Sequence, residues 1–574
     1  MNRRISWLLI VFALINFTNN AASQHVPFVG NTTTTWSECI QNFKALEAQS
    51  DLCQLVVAGH TDIGKPLHLF IINKEKTFFP ELFNPKKTVI LINNAIHPGE
   101  PDGVDASIIF SKEILDPQNS LHQLLDSVIF CIIPIYNVDG SLVRNGYSRT
   151  NQNGPEEYGF RGNSKNLDLN RDFIKCDSRN AESFNKIFQR VKPTLFIDTH
   201  VSNGADYSYV MTLISPQINK LGQPQASYLK DKLEPYLFND MKNRGFEMSP
   251  YVNHMGVTPE SGLADFLETA RYSTGYAALF QTIGFTTETH MLKPYAQRVE
   301  ATYQFISSLG QFAYKNNTSL LRQKRRATDE WKQKKKYELN FKLDTTLRET
   351  LVFKGYEAVT EPALIGTGER LRYDRAKPYE KEIPRFRNYQ AQHIVELPQE
   401  YIIPQAWTEV IERLKWNNVL MKRIPKDTLL AVSGYYVGDV KTSTNCYEGH
   451  FAHQSCSVRK EKMNILFFEG DYIIPLSQDN IRYIVETLEP QSKESFFHWN
   501  FFDGVLQQKE WFSDYVFEEK AKELLEKDPV LKKKFEEALQ KDKSLSEHWS
   551  QLYWIYKNSP HYESSAFRYP IYSR

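Results

Sequence analysis

The stretch Val89-Ile90-Leu91-Ile92-Asn93-Asn94-Ala95-Ile96-His97-Pro98-Gly99-Glu100-Pro101-Asp102-Gly103 passes from an apolar run into a tight turn. Val89 to Ile92 follow one another without polar interruption, the pattern of a strand covered on both faces. Such a strand leaves the core and presents His97 at its end, and the Pro98-Gly99 turn brings Glu100 round to the same point. An imidazole nitrogen and a carboxylate separated by two turn residues can hold one Zn2+ from two directions, at about 2.0–2.2 Å each. His-x-x-Glu also arises by chance, and a strand-end histidine is more often a hydrogen-bonded structural residue, so the pair needs support from elsewhere in the chain.

Thr194-Leu195-Phe196-Ile197-Asp198-Thr199-His200 supplies it, as a second apolar strand ending in histidine. His97, Glu100 and His200 make the two-histidine, one-carboxylate set of a catalytic zinc, with a fourth position open to water. Asp198 either orients His200 from behind or points into the fold. Between these strands Asn170-Arg171 sets an amide beside a guanidinium, a pair suited to a carboxylate. Arg149 and Arg161 stand upstream in a Gly/Asn-rich loop, where a further cation can stabilise a developing oxyanion. Gly284-Phe285-Thr286-Thr287-Glu288 ends another apolar strand in a carboxylate able to take a proton from water and pass it to a leaving amine. His290, two residues on, is the alternative proton carrier.

Residues 50–315 alternate between the two periodicities. Leu67–Ile72, Thr88–Ala95, Ser127–Ile135, Thr194–Thr199 and Gly284–Glu288 read as strands, and Val104–Leu115, Ala181–Val191 and Pro224–Asn243 as helices, which predicts an α/β domain around one mixed sheet. The expected organisation is a signal peptide at 1–23, a catalytic domain at 24–320, a basic helix or linker at 321–337, a β-rich accessory domain at 338–476 and a helical region at 477–574. The signal peptide rests on Arg3-Arg4, the apolar run Trp7–Phe17, itself too short to span a bilayer, and Ala21-Ala22-Ser23, and places the mature chain in the periplasm or outside the cell. Lys+Arg number 69 against Asp+Glu 68, a net charge of +1, which argues against nucleic acid as a partner; the eight basic residues between Arg322 and Lys336 read as a solvated helix.

In order, His97-x-x-Glu100, the strand exit Asn137-Val138-Asp139-Gly140, Asn170-Arg171, His200 and Glu288 make the chain similar to the zinc metallocarboxypeptidases of the carboxypeptidase A type, in their bacterial, exported branch. The likeness covers about residues 50–315. It implies a twisted mixed sheet with flanking helices, one zinc per chain held by His97, Glu100 and His200, and a peptide or protein substrate. It also implies Asn170 and Arg171 on the substrate's terminal carboxylate, Glu288 as general base and acid, and Arg161 at the oxyanion with Arg149 as its rival. Asn137-Val138-Asp139-Gly140 departs from the family's Asn-Pro-Asp-Gly, and the family's capping tyrosine lies further upstream than Tyr272 and Tyr276, the nearest candidates here. Arg271 is expected near the specificity pocket, or in a stabilising ion pair.

Two other functions share these residues: a zinc-dependent deacylase of N-acyl amino acids or cell-wall peptides, and a peptide- or glycan-binding protein on an inactivated scaffold. Retention of Asn170, Arg171 and Glu288 favours the secreted carboxypeptidase. Cys446-x3-His450-x2-His453-x2-Cys456 is read as a disulfide loop rather than a metal site in an oxidising compartment, with Cys39 and Cys53 as a second pair.

Overall fold

A computed structural model describes residues 25–574; the expected signal peptide lies outside them. The first part of the chain forms strands β1 (Cys53–His60), β2 (Pro66–Ile72), β3 (Thr88–Asn93), β4 (Val128–Ile133), β5 (Leu195–Ser202), β6 (Met211–Ile214), β7 (Met248–Pro250), β8 (Leu263–Ala264) and β9 (Ile283–His290). All but β8 build one eight-stranded sheet in the order β1-β2-β4-β3-β5-β9-β6-β7. Its centre, β4-β3-β5-β9, is parallel. The β2-β4 and β6-β9 pairings are antiparallel, so the sheet is mixed, as expected.

Every residue of β3, β4 and β5 is buried, which is why these strands read as unbroken apolar runs. Helix Asp102–Leu115 carries the chain from β3 to β4, and helix Arg179–Val191 leads into β5. Ser178 caps the latter through its hydroxyl, which accepts from Ala181 N at 3.0 Å, and Lys192 ends it in the left-handed region. The carboxyl ends of the parallel strands therefore open on one edge, where α/β sheets place their ligands.

The basic stretch begins on one 39-residue helix, Tyr295–Gln333, which leaves helical geometry at Asn316, and its last lysines, Lys334 to Lys336, lead into the next strand. Beyond it, Lys336–Leu343 pairs with Tyr389–Glu396, and the hairpin Glu349–Pro362/Glu369–Phe386 joins β8 at its far end. A six-stranded sheet holds the long hairpin Thr428–Thr442/His453–Phe467. Residues 477–574 are not wholly helical. After helices Ile481–Leu488, Asp514–Lys527, Pro529–Lys541 and His548–Lys557, the strand Tyr572–Ser573 inserts between Glu400–Ile403 and Thr428–Thr442. One buried apolar cluster runs from Phe43 and the central strands through Tyr337, Tyr401 and Trp499 to Ile571, so the two parts share a core.

The expected disulfides are absent: all six cysteines are free. Cys456 lies within the hairpin ladder opposite Val440, with its thiol towards Pro490 O, while Cys446 is exposed in the turn beyond Thr442. Cys39 and Cys53 are both buried, Cys53 turning its thiol to Ser50 O. Among the described residues, no helix is long and apolar enough to cross a membrane.

Candidate active site

His97, Glu100 and His200 come together at the carboxyl edge of β3 and β5, with one ligand atom from each within 4.8 Å of the others. Glu100 N donates to His97 O at 2.8 Å, closing the Pro98-Gly99 turn. A Cβ at Gly99 would lie 2.5 Å from Arg149 Cδ, so glycine is what lets that arginine cross the turn. The imidazoles meet at 70° with ring centroids 4.9 Å apart.

Each histidine is anchored from behind by a carboxylate. His97 Nε2 lies 2.9 Å from Asp168 Oδ1, and His200 Nε2 lies 2.9 Å from Asp198 Oδ2. Asp198 is itself fixed by Asn93 Nδ2 at 3.0 Å. Both Nδ1 atoms consequently face Glu100, at 3.3 Å from Oε1 for His97 and 3.2 Å from Oε2 for His200. His97 Nδ1 is buried without a hydrogen-bond partner. An orphaned imidazole nitrogen, a second directed the same way and a carboxylate between them fit a zinc ion, with carboxylates supporting both rings. Burial works to raise Glu100, but the surrounding His97 and Arg149 hold it well below the usual carboxylate range.

Glu288 pairs in register with His200 across β5 and β9. Its half-buried carboxylate makes no hydrogen bond among the described residues. Burial pushes it up to about 7, against the pull of His200. His290, the alternative, has both ring nitrogens engaged, by Ala205 O at 3.0 Å and Leu292 N at 3.2 Å, and burial takes it down to about 4. Glu268, which the sequence reading passed over, turns to Thr286 Oγ1 on the Glu288 face of β9, and burial pushes it up to about 8.

Both candidate oxyanion arginines reach Glu100. Arg149, with 16% of its side chain exposed, donates from Nη1 at 2.8 Å; Arg161, 46% exposed, is 3.5 Å away and spends Nε and Nη2 on Asp168 Oδ2. Asn137 Nδ2 holds the Arg161 backbone carbonyl at 2.9 Å, which ties the Asn-Val-Asp-Gly exit to this loop.

Asn170 and Arg171 follow Asp168 on one short turn, Asn170 N donating to Asp168 Oδ1 at 2.8 Å. Asn170 Oδ1 accepts from Ser273 N at 3.1 Å. Arg171 lies over the Tyr272 ring at 4.4 Å, donates from Nη1 to Asn170 O at 2.8 Å and from Nε to Tyr447 Oη at 3.0 Å. Tyr276 is not brought to the site: it is buried among Phe173, Phe188 and Phe280, with its hydroxyl on Asn417 at 2.6 Å. Its place on an apolar helix, Ser273–Leu279, directs it inward. Arg271 pairs with Glu494 at 2.8 Å. Asp168 was legible in principle, two residues before Asn170; Tyr447, 276 residues from Arg171, left no signal.

Residues 39–194 match the family model described as zinc carboxypeptidase, a span that holds His97, Glu100, Asn170 and Arg171. Among curated proteins, Carboxypeptidase 2 of Trichophyton equinum is 20% identical over 472 residues, covering 79% of this chain and 78% of the relative. Carboxypeptidase 2 of Trichophyton rubrum is 20% identical over 434 residues, 72% and 73% of the two chains. Solved structures with likeness include a metallo-carboxypeptidase from Pseudomonas aeruginosa, 15% identical with a TM-score of 0.37 over 50% of this chain and 68% of that one. Carboxypeptidase A from Helicoverpa armigera is 12% identical, with a TM-score of 0.37 over 50% and 73%. The family match and the relatives named as carboxypeptidases support a peptide hydrolase, similar over residues 39–194 to the zinc carboxypeptidases, and the buried His-Glu-His set could hold a metal ion.

Proposed function

We propose that the chain is an exported, zinc-dependent carboxypeptidase that removes C-terminal residues from peptides, with one zinc on His97, Glu100 and His200. The observation that carries it is the register between β5 and β9, which sets Glu288 beside the ligand His200. A bound zinc would supply Lewis acidity and bring a water's pKa towards 7. Glu288, with an ionisation near neutrality, is suited to take a proton from water at its carboxylate and return it to the departing amine. Arg149 and Arg161, side by side at Glu100, offer the positive charge that a developing oxyanion needs; Arg149 is the more buried, which favours it over the expected Arg161. Asn170 and Arg171 hold the substrate's free carboxylate, with Tyr272 beneath the guanidinium. Export rests on the basic and apolar start of the sequence and puts the enzyme in the periplasm or outside the cell.

The test is release of single residues from peptide C-termini, with and without a zinc chelator. Turnover should stop on chelation, and amidated peptides should be poor substrates; equal turnover of free and amidated ends would favour a deacylase or endopeptidase. Glu288→Gln should keep its zinc and its substrate affinity while losing kcat by about 10²–10⁴. Near-normal kcat in that variant would remove Glu288 from the mechanism.

A further inference from the structure

The Asp168–Arg171 turn is held from outside the family-matched part of the chain. Two consecutive residues in the loop between Thr428–Thr442 and His453–Phe467 reach it. Tyr447 Oη accepts from Arg171 Nε at 3.0 Å, and Glu448 Oε2 accepts from Asp168 N at 2.8 Å. The loop is rigid. Tyr447 and His450 exchange backbone hydrogen bonds at 2.8 and 3.0 Å, with Glu448 and Gly449 at positive φ between them. His450 Nε2 bonds Asp177 at 2.8 Å. The Tyr447 ring lies near parallel to buried Trp499, and the Arg271 guanidinium is near both rings, 4.7 Å from Trp499 and 6.0 Å from Tyr447.

Hydrogen-bond capacity then decides what Tyr447 can do. A phenol has one O–H to donate besides its acceptor lone pairs. Its oxygen already accepts from Arg171, and its O–H donates to no group among the described residues. Tyr447 is exposed, and its hydroxyl lies against the Nε edge of the guanidinium. On Arg171, Nε and Nη1 are engaged by Tyr447 and Asn170 O, which leaves Nη2 with no protein acceptor among the described residues. An arginine N–H and a tyrosine O–H thus stand together with donors to spare, the need of a carboxylate.

We propose that Tyr447, supplied by the C-terminal region, is a specificity-determining residue that donates its hydroxyl hydrogen to the substrate's α-carboxylate on Arg171. Glu448 is a positioning residue that steadies Asp168 and, through it, His97. The inference rests on the exopeptidase reading, and makes the C-terminal region part of the substrate site.

The experiment compares kcat and KM of the full-length zinc enzyme and its Tyr447→Phe variant on one peptide with a free and with an amidated C-terminus. The substitution keeps the ring and its stack on Trp499, and a thermal melt confirms the fold. KM for the free-acid peptide should rise about 10–150-fold in Tyr447→Phe, the range of one lost hydrogen bond to a charged group, with kcat and turnover of the amide nearly unchanged. Unchanged KM in Tyr447→Phe, while Arg171→Ala loses the preference for free ends, would overturn the role of Tyr447 and leave the exopeptidase reading standing. No preference for free ends in the intact enzyme would overturn that reading, and this inference with it. As a second measure, binding of a free-acid dipeptide to Glu288→Gln should weaken by the same factor when Tyr447→Phe is added; equal affinity would count against the proposal.

Discussion

His97, His200 and Glu288 stand on or just past three adjacent strands, β3, β5 and β9, buried almost throughout, whereas Arg171 is held by a turn, a ring and a loop 276 residues further along the chain. In the first half of the site, ladder hydrogen bonds and close packing set where each side chain emerges, so its geometry is inherited from the sheet. In the second half no single element positions the guanidinium, and its orientation depends on how the C-terminal region docks. The two halves of the candidate site thus have different structural owners within one chain.

Trp499→Ala should separate the two halves most sharply. Trp499 is fully buried and bears the Tyr447 ring and the Arg271 guanidinium. Its truncation should cost about 3–5 kcal/mol in denaturant unfolding and raise KM for free-acid peptides, with zinc affinity retained. If zinc affinity falls in step with KM, the halves are not separable.

Asp168→Asn probes the residue common to both, because its carboxylate holds His97 Nε2 and its backbone N–H meets Glu448. Zinc affinity by competition with a chelator should drop about 10–100-fold. Asp198→Asn, which disturbs the strand-end half alone, should match that loss and leave KM for free-acid peptides unchanged.

Cys446→Ser has the smallest expected effect. With Cys446 exposed and free, stability should move by less than about 0.5 kcal/mol, and reductant should leave the melting temperature of the parent chain unchanged. A large drop on reduction would show that the loop carrying Tyr447 closes through a disulfide.

The meeting of His97, Glu100 and His200 was legible because His97 and His200 each follow an apolar run, and their strands are neighbours in the sheet, β3 pairing with β5. Tyr276 was misplaced because spacing counts residues and not directions: its helix turns that ring into the aromatic core. The disulfide expectation failed for a related reason, since ten residues of separation do not say that one cysteine lies inside a ladder and the other past its end.

From the sequence alone came the fold class, the central strands and the meeting of His97, Glu100 and His200, with Glu288 and the Asn170-Arg171 pair as the residues proposed to act beside them. Each of these is a local pattern, in which burial on both strand faces writes itself as consecutive apolar residues and a turn writes itself as Pro-Gly. Only the tertiary structure decided that Asp168 backs His97, that Arg149 is the more buried arginine at Glu100, and that Tyr447 and Glu448 close on the Arg171 turn. Those contacts join residues whose neighbours in sequence say nothing of each other, because one hydrogen bond at the end of a long chain excursion imposes no periodicity on the residues between.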